Sequence, residues 1–152
     1  MRVIRRLARR KATFHQYDNG INEVVFHDAS KEAVDDYIYF LRLLLSETAH
    51  GAELLVLNDM RRSGSPRAGY HFSELIKFVA EYGDFPASAR IVSVYPAITP
   101  QIILVLSFVG SLNMVRGDFD IKTDYQDALD WLLDTEPELP ELDDTQPPKL
   151  TT

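Results

Sequence analysis

The sequence predicts an α/β fold: a single domain with element order ββαβαβαβα and a mixed, mostly parallel sheet of five strands with four helices. Short β-branched or apolar runs alternate with amphipathic stretches of helical length. An Asn-Gly pair separates the first two strand-like runs, where a hairpin turn is expected. The 152 residues are 45% hydrophobic and 26% charged, which is the size and composition of one globular domain.

Local start and stop signals assign each element in turn. Ser30 is the expected N-cap of the first helix, Thr99-Pro100 supplies an N-cap and a first-turn proline for the third, and Thr123 is the expected cap of the fourth. The predicted strands are 12–17, 21–27, 53–58, 90–95 and 119–122, and the predicted helices are 31–47, 70–82, 100–114 and 124–134. Ligands of such sheets bind beyond the carboxyl ends of the parallel strands.

The predicted hairpin also decides where two histidines lie. If Asn19-Gly20 is a two-residue loop, His15 pairs with Val24, and His27 lies opposite Ala12 on the other face of the sheet. In that register the two histidines do not form a ligand pair, and no other spacing in the chain favours a metal site.

Charge is distributed unevenly and divides the chain into three parts. Residues 1–11 carry six basic side chains and no acidic one, residues 12–134 form the predicted domain, and residues 135–152 are acidic and rich in proline. The last part is expected to be a disordered tail. The basic arm is expected either to be a solvated terminus, with pairing to acids of the same chain as one possibility, or, as a helix, to touch an anionic surface. A net charge of −7 argues against nucleic-acid binding.

Motifs of common catalytic sites are missing. The chain has no cysteine, no glycine-rich nucleotide loop, no P-loop lysine motif and no G-x-S-x-G elbow. We therefore expect no catalytic residues, no metal and no cofactor. An enzyme that uses His71 as a base near Asp59 is the weakest of the hypotheses considered. No secretory signal and no transmembrane segment is evident, so the expected location is the cytoplasm.

The first candidate site is the loop 59–70, between a strand and a helix. It carries three arginines and two serines before a helix N-terminus, whose free N–H groups attract anions. The candidate residues for binding a partner or an anion are Asp59, Arg61, Arg62, Ser63, Ser65 and Arg67, and Ser63 and Ser65 are candidate phosphate acceptors. The alternative is a hydrophilic surface loop whose Asp59 and Ser65 only form turns.

The second candidate site is the helix predicted over 100–114, which is apolar around its whole circumference. Packing on a sheet needs only one apolar face, so the opposite face requires another cover. A homodimer interface formed by Ile103, Leu104, Leu106 and Phe108 is the first interpretation. A pocket for an apolar ligand, an unrelated protein partner and cover by neighbouring helices are the alternatives.

Three segments carry a resemblance to a known superfamily: LLVLND at 54–59, ARIVSV at 89–94 and YQDALDWL at 125–132. With the element order, they look like the SpoIIAA-like (STAS-like) superfamily over about residues 12–134. That superfamily has the fold of anti-sigma-factor antagonists and of sulphate-transporter cytoplasmic domains. In the antagonists a partner kinase phosphorylates a serine at the start of the second helix, and the matching region here is 59–65.

The resemblance implies a non-catalytic domain for protein interaction or regulation, and we expect it to bind a regulatory protein, to form a homodimer, or both. The alternative function is a carrier or sensor of a small apolar ligand or a lipid, which resembles the lipid-binding relatives of this fold.

Overall fold

The structure is a computed structural model, and it describes residues 1–49, 51–64, 68–82, 88–111 and 117–133. Six strands form one sheet in the order β1-β2-β3-β4-β5-β6. The strands are β1 Val3–Ala8, β2 Ala12–Tyr17, β3 Ile21–Phe26, β4 Glu53–Asp59, β5 Ser88–Val94 and β6 Gly117–Lys122. The helices are α1 Lys31–Ser46, α2 Ala68–Tyr82, α3 Pro100–Ser111 and α4 Tyr125–Leu133.

The pairing of neighbouring strands changes from antiparallel to parallel at β3. β1, β2 and β3 are antiparallel neighbours, whereas β3, β4, β5 and β6 are parallel. Each parallel connection moves one position in the same direction, so right-handed crossovers put α1, α2 and α3 on one face of the sheet. We call this the α1 face. Helix α4, which follows the last strand, packs against β4, β5 and β6 on the opposite face, the α4 face.

The α/β class and the four helices are confirmed, but the prediction of five strands is wrong. Residues 3–8 of the basic arm form a sixth strand, which pairs with β2 along its length. The apolar residues Val3, Ile4 and Leu7 have a spacing that also suits a helix. A register shift between Val3 and Arg5 interrupts the alternation of a regular strand, and this irregularity hides the strand from a period-two search.

The arm pairs with acidic residues of its own chain, as one of the two sequence interpretations allowed. Three ion pairs attach it: Arg5 with Glu47, Arg9 with Asp36, and Lys11 with Asp28. The buried carboxylate of Asp36 also accepts a hydrogen bond of 2.8 Å from the backbone N–H of Lys11. β1 is therefore attached to α1 by charge as well as to β2 by backbone pairing.

Alternating side chains divide the core between the two faces. On the α1 face the buried residues come from β2, β3, β4 and three helices, and include Phe14, Val24, Phe26, Val34, Tyr37, Phe40, Leu41, Val56 and Ile102. On the α4 face they are Ile21, Leu57, Val92, Val94, Ala128, Leu129 and Leu132. Because α4 packs mainly on β4, β5 and β6, the β1 to β3 part of this face has room for polar side chains.

The hairpin turn differs from the prediction by one residue. His15 pairs with Glu23 rather than with Val24, so the loop contains Asp18 as well as Asn19 and Gly20. Gly20 has φ of 89°, the left-handed conformation that ends a three-residue hairpin loop. The shift also corrects the position of His27, which lies on the same face as His15, with Nε2 2.7 Å from the hydroxyl of Thr13.

Two of the three predicted helix caps are confirmed. The Ser30 hydroxyl accepts from the N–H of Ala33, and the Thr99 hydroxyl accepts from the N–H of Ile102. At α4 the capping side chain is Asp124 instead of Thr123, since its carboxylate accepts from the N–H of Asp127 at 2.9 Å. An aspartate at this place also complements the positive end of the helix dipole.

Substitution of Asp36 tests the attachment of β1 to α1. Asp36→Ala should lower the free energy of unfolding by about 1–3 kcal/mol, because the Lys11 N–H and the Arg9 guanidinium lose a buried acceptor. The exposed neighbour provides the control, and Asp35→Ala should cost less than about 1 kcal/mol. Denaturant unfolding measures both, and equal losses would contradict the attachment.

Candidate functional site

Two residues of the predicted loop site bind each other. Asp59 ends β4 with its carboxylate almost buried, and Arg61 donates to it twice, from Nε at 3.0 Å and from Nη2 at 2.9 Å. The backbone N–H of Arg61 donates to the same carboxylate at 3.1 Å. Hydrogen bonding to Asp59 raises the pKa of Arg61. A bidentate ion pair thus stabilises the turn at the end of β4.

The other predicted loop residues do not join this pair in the described structure. Arg62 is exposed, and the hydroxyl of Ser63 donates to the carbonyl oxygen of Gly64 at 2.8 Å. Ser65 and Arg67 lie outside the described residues. The structure therefore brings together Asp59 and Arg61 and leaves Arg62 on the surface beside them.

A polar cluster that the sequence analysis missed lies next to Arg61. Glu23 projects from β3 on the α4 face, and its side chain is only 4% exposed. One carboxylate oxygen accepts from Nδ1 of His15 at 3.0 Å and from the hydroxyl of Tyr17 at 2.9 Å. The other oxygen accepts from the hydroxyl of Tyr125. We call Glu23, His15, Tyr17 and Tyr125 the Glu23 cluster.

The Glu23 cluster joins three elements and contacts the loop. Its members come from β2, β3 and the first residue of α4. The guanidinium carbon of Arg61 lies 4.4 Å from the centre of the Tyr125 ring, within the range of a cation–π contact. The ion pair after β4 and the Glu23 cluster are therefore one continuous polar arrangement on the α4 face, which extends from the carboxyl end of β4 to the middle of β3.

Both tyrosines of the Glu23 cluster act as hydrogen-bond donors. Burial, followed by the nearby Glu23 carboxylate, raises the pKa of Tyr17 to about 12. The pKa of Tyr125 is also raised, first by burial and then by its hydrogen bond to Glu23. Their hydroxyls keep their protons at neutral pH, and a buried carboxylate needs such donors. Glu23 accepts hydrogen bonds from three donors and so connects β3 to β2 and α4.

The one-residue register difference explains why this cluster was missed. In the predicted register His15 lies opposite Val24, and Glu23 projects to the other face. A longer loop that includes Asp18 would have placed His15 beside Glu23. The contribution of Tyr125 has no local signal, because it is 102 residues away from Glu23 in the chain.

His71 does not meet Asp59, its partner in the enzyme hypothesis. Its ring lies on the α1 face, with ring centroids 6.3 Å from Phe26 and 5.6 Å from Tyr37. Asp59 projects to the opposite face of the sheet. Burial lowers the pKa of His71 to about 4, so the ring is neutral at physiological pH.

A buried polar network fastens α1 to the ends of β4 and β5. The side-chain amide of Asn58 donates to the hydroxyl of Tyr37 at 3.1 Å and to that of Ser93 at 3.3 Å. Burial is the main cause of the raised pKa of Tyr37, whose hydroxyl remains protonated. Asn58 and Asp59 thus serve opposite faces of the sheet from adjacent positions.

Helix α3 exposes part of the predicted interface. Ile102 is 2% exposed and packs in the core, whereas Ile103 and Leu104 are 55% and 70% exposed. The side chains of Leu106 and Phe108 lie outside the described residues. No helix in the described part of the chain has the length and apolar character needed to cross a membrane.

Comparisons with known proteins add no relative. A scan against protein-family models finds no match to this chain, and searches of the curated proteins and of the solved structures find none either. Among the described residues, no three His, Asp or Glu side chains are arranged to hold a metal ion. Inferences about function therefore depend on the sequence segments and on the geometry given above.

Removal of one donor tests the role of the Glu23 cluster. Tyr125→Phe should lower the free energy of unfolding by roughly 1.5–3 kcal/mol, since a buried carboxylate oxygen loses its partner. Tyr82→Phe, at a half-buried position on α2, is the control and should change it by less than about 0.5 kcal/mol. Tyr17→Phe combined with Tyr125→Phe should be non-additive because both hydroxyls bind Glu23. Equal effects of Tyr125→Phe and Tyr82→Phe would contradict this role.

The buried His71 predicts a pH dependence of stability. Its pKa is about 4 in the folded chain against 6.5 as the ordinary value, so the unfolded chain takes up a proton first as the pH falls. This group leaves stability unchanged well above pH 6.5 and should remove about 2 kcal/mol as the pH falls from about 7 to about 5. His71→Phe should remove this part of the pH dependence, whereas His27→Gln, at an exposed position, should retain it. Identical pH profiles of the wild type and His71→Phe would refute the assignment.

Proposed function

We propose that this chain is a non-catalytic cytoplasmic regulatory domain of the SpoIIAA-like kind that acts by binding protein, beginning with a second copy of itself. The observation that supports this most directly is the outward direction of Ile103 and Leu104 on α3. Burial of such a side chain is worth about 1.5–3 kcal/mol, so a covered α3 is favoured over a solvated one.

The absence of charge around α3 favours a second copy as the occupant. The sequence from 96 to 111 contains no acidic and no basic residue, although the whole chain has a net charge of −7. Two identical acidic chains repel one another, and this repulsion is weakest when they meet through an uncharged surface. α3 also lies beside β6, the last strand in the sheet order, so it is accessible at the end of the molecule.

The loop after β4 is the proposed surface for a regulatory partner. The Asp59–Arg61 ion pair orders the backbone before the exposed Arg62, and Tyr125 of the Glu23 cluster contacts the Arg61 guanidinium. A surface that is already ordered loses less entropy on binding than a flexible loop. The resemblance to the SpoIIAA-like superfamily, whose regulatory serine is in the matching region, supports the same assignment for Ser63.

A carrier of an apolar ligand is the competing function. In an enclosed ligand site, the apolar side chains of α3 would point towards the core. Ile102 does so, whereas Ile103 and Leu104 extend into solvent. This direction favours an interface between proteins over an enclosed lipid site.

A charge placed on α3 tests the proposed dimer. Leu104→Glu should convert a dimer into a monomer in sedimentation equilibrium at tens of micromolar, because the interface would bury an unpaired carboxylate. Ile76→Glu, an equivalent change at an exposed position on α2, should leave the dimer intact. A monomeric wild type at these concentrations would overturn the proposal, and so would equal dissociation of both variants.

A further inference from the structure

The free edge of β1 is a second surface that the proposed dimer does not use. β2 is the only described strand that pairs with β1, so the other side of β1 presents backbone N–H and C=O groups without a strand partner in the described chain. From Arg5 to Ala8 the register with β2 is regular. This stretch has the extended geometry onto which another strand can add by backbone pairing.

The side chains at this edge are strongly basic, in a chain that is acidic as a whole. Ion pairs with acidic residues of the same chain occupy Arg5, Arg9 and Lys11. The side chains of Arg2, Arg6 and Arg10 are exposed and form no ion pair with described residues. Three cations therefore remain available: Arg6 within β1, Arg2 just before the strand and Arg10 in the turn after it.

This charge selects among the strands that could add. An antiparallel second copy of β1 would place arginines against arginines, and like charges on facing strands repel. The chain's own segment 134–152 has six acidic residues, but its four prolines each lack the N–H that strand pairing requires. A proline-free acidic segment of another protein meets both requirements, since its carboxylates face the arginines and its backbone pairs along the edge.

We propose that the free edge of β1 binds an acidic, extended segment of a partner protein by strand addition. Backbone hydrogen bonds along Arg5 to Ala8 hold the segment, while Arg2, Arg6 and Arg10 contact its carboxylates. This surface lies at the opposite end of the sheet from α3, so the inference is independent of the proposed dimer.

A blocked peptide of alternating glutamate and valine is the probe, with a lysine-valine peptide of the same length as its counterpart. In calorimetric titration of the full chain, the acidic peptide should bind and the basic peptide should not. Arg6→Glu should weaken binding by at least about tenfold, equal to about 1.4 kcal/mol. The matched control is Lys31→Glu, which changes an exposed cation at the start of α1 by the same charge and should have less than about a twofold effect.

Amide hydrogen exchange decides whether the peptide adds as a strand. With the acidic peptide bound, alternate amides of β1 should exchange more slowly, whereas the exposed loop around Arg62 should not change. Equal weakening by Arg6→Glu and Lys31→Glu, unprotected β1 amides, or no binding of the acidic peptide would each overturn the proposal. A further variant combines Glu136→Gln, Glu138→Gln and Glu141→Gln. If this variant bound the acidic peptide ten times more tightly than the wild type, the chain's own segment would be the occupant of the edge, and the proposal would be overturned.

Leu104→Glu separates this inference from the proposed function. The variant should bind the acidic peptide with the affinity of the wild type, since α3 and β1 lie at opposite ends of the sheet. Lost peptide binding by a folded Leu104→Glu chain would mean that the β1 edge depends on the dimer, and it would overturn the independence claimed here.

Discussion

The register of the β2–β3 hairpin decides which side chains can stabilise the α4 face. A three-residue turn ending at Gly20 places His15 opposite Glu23, and the buried carboxylate then receives donors from β2 and from Tyr125 of α4. If the turn were one residue shorter, Glu23 would project into the apolar α1 face without these donors. An unpaired carboxylate is costly there, so the turn, the cluster and the docking of α4 are interdependent.

The unequal cover of the two faces explains where polar chemistry occurs. Three crossover helices pack on the α1 face, where the side chains of Asn58, Tyr37 and Ser93 form a buried polar network. Of the helices in the described residues, only α4 packs on the α4 face. The Glu23 cluster and the Asp59–Arg61 pair therefore lie at the boundary between covered and uncovered sheet, where burial strengthens hydrogen bonds while some side chains still reach solvent.

Charged and uncharged surfaces lie at opposite ends of the sheet. The basic first strand is partly neutralised by acids of α1 and leaves a cationic edge at one end of the sheet, whereas the uncharged α3 lies at the other end. The two proposed binding surfaces thus differ in the physics of recognition. Apolar burial would join like chains at α3, and electrostatic attraction with backbone pairing would select an unlike, acidic partner at β1.

The sequence by itself determined the α/β class, the four helices and most of their ends, because periodicity and capping are local properties of the chain. It also placed Asp59 and Arg61 among the six candidate loop residues, although not as partners of each other. Tertiary structure alone decided that residues 3–8 become a strand, that His15 faces Glu23, and that Tyr125 completes the cluster. These outcomes depend on register and on contacts between residues far apart in the chain, which no local pattern contains.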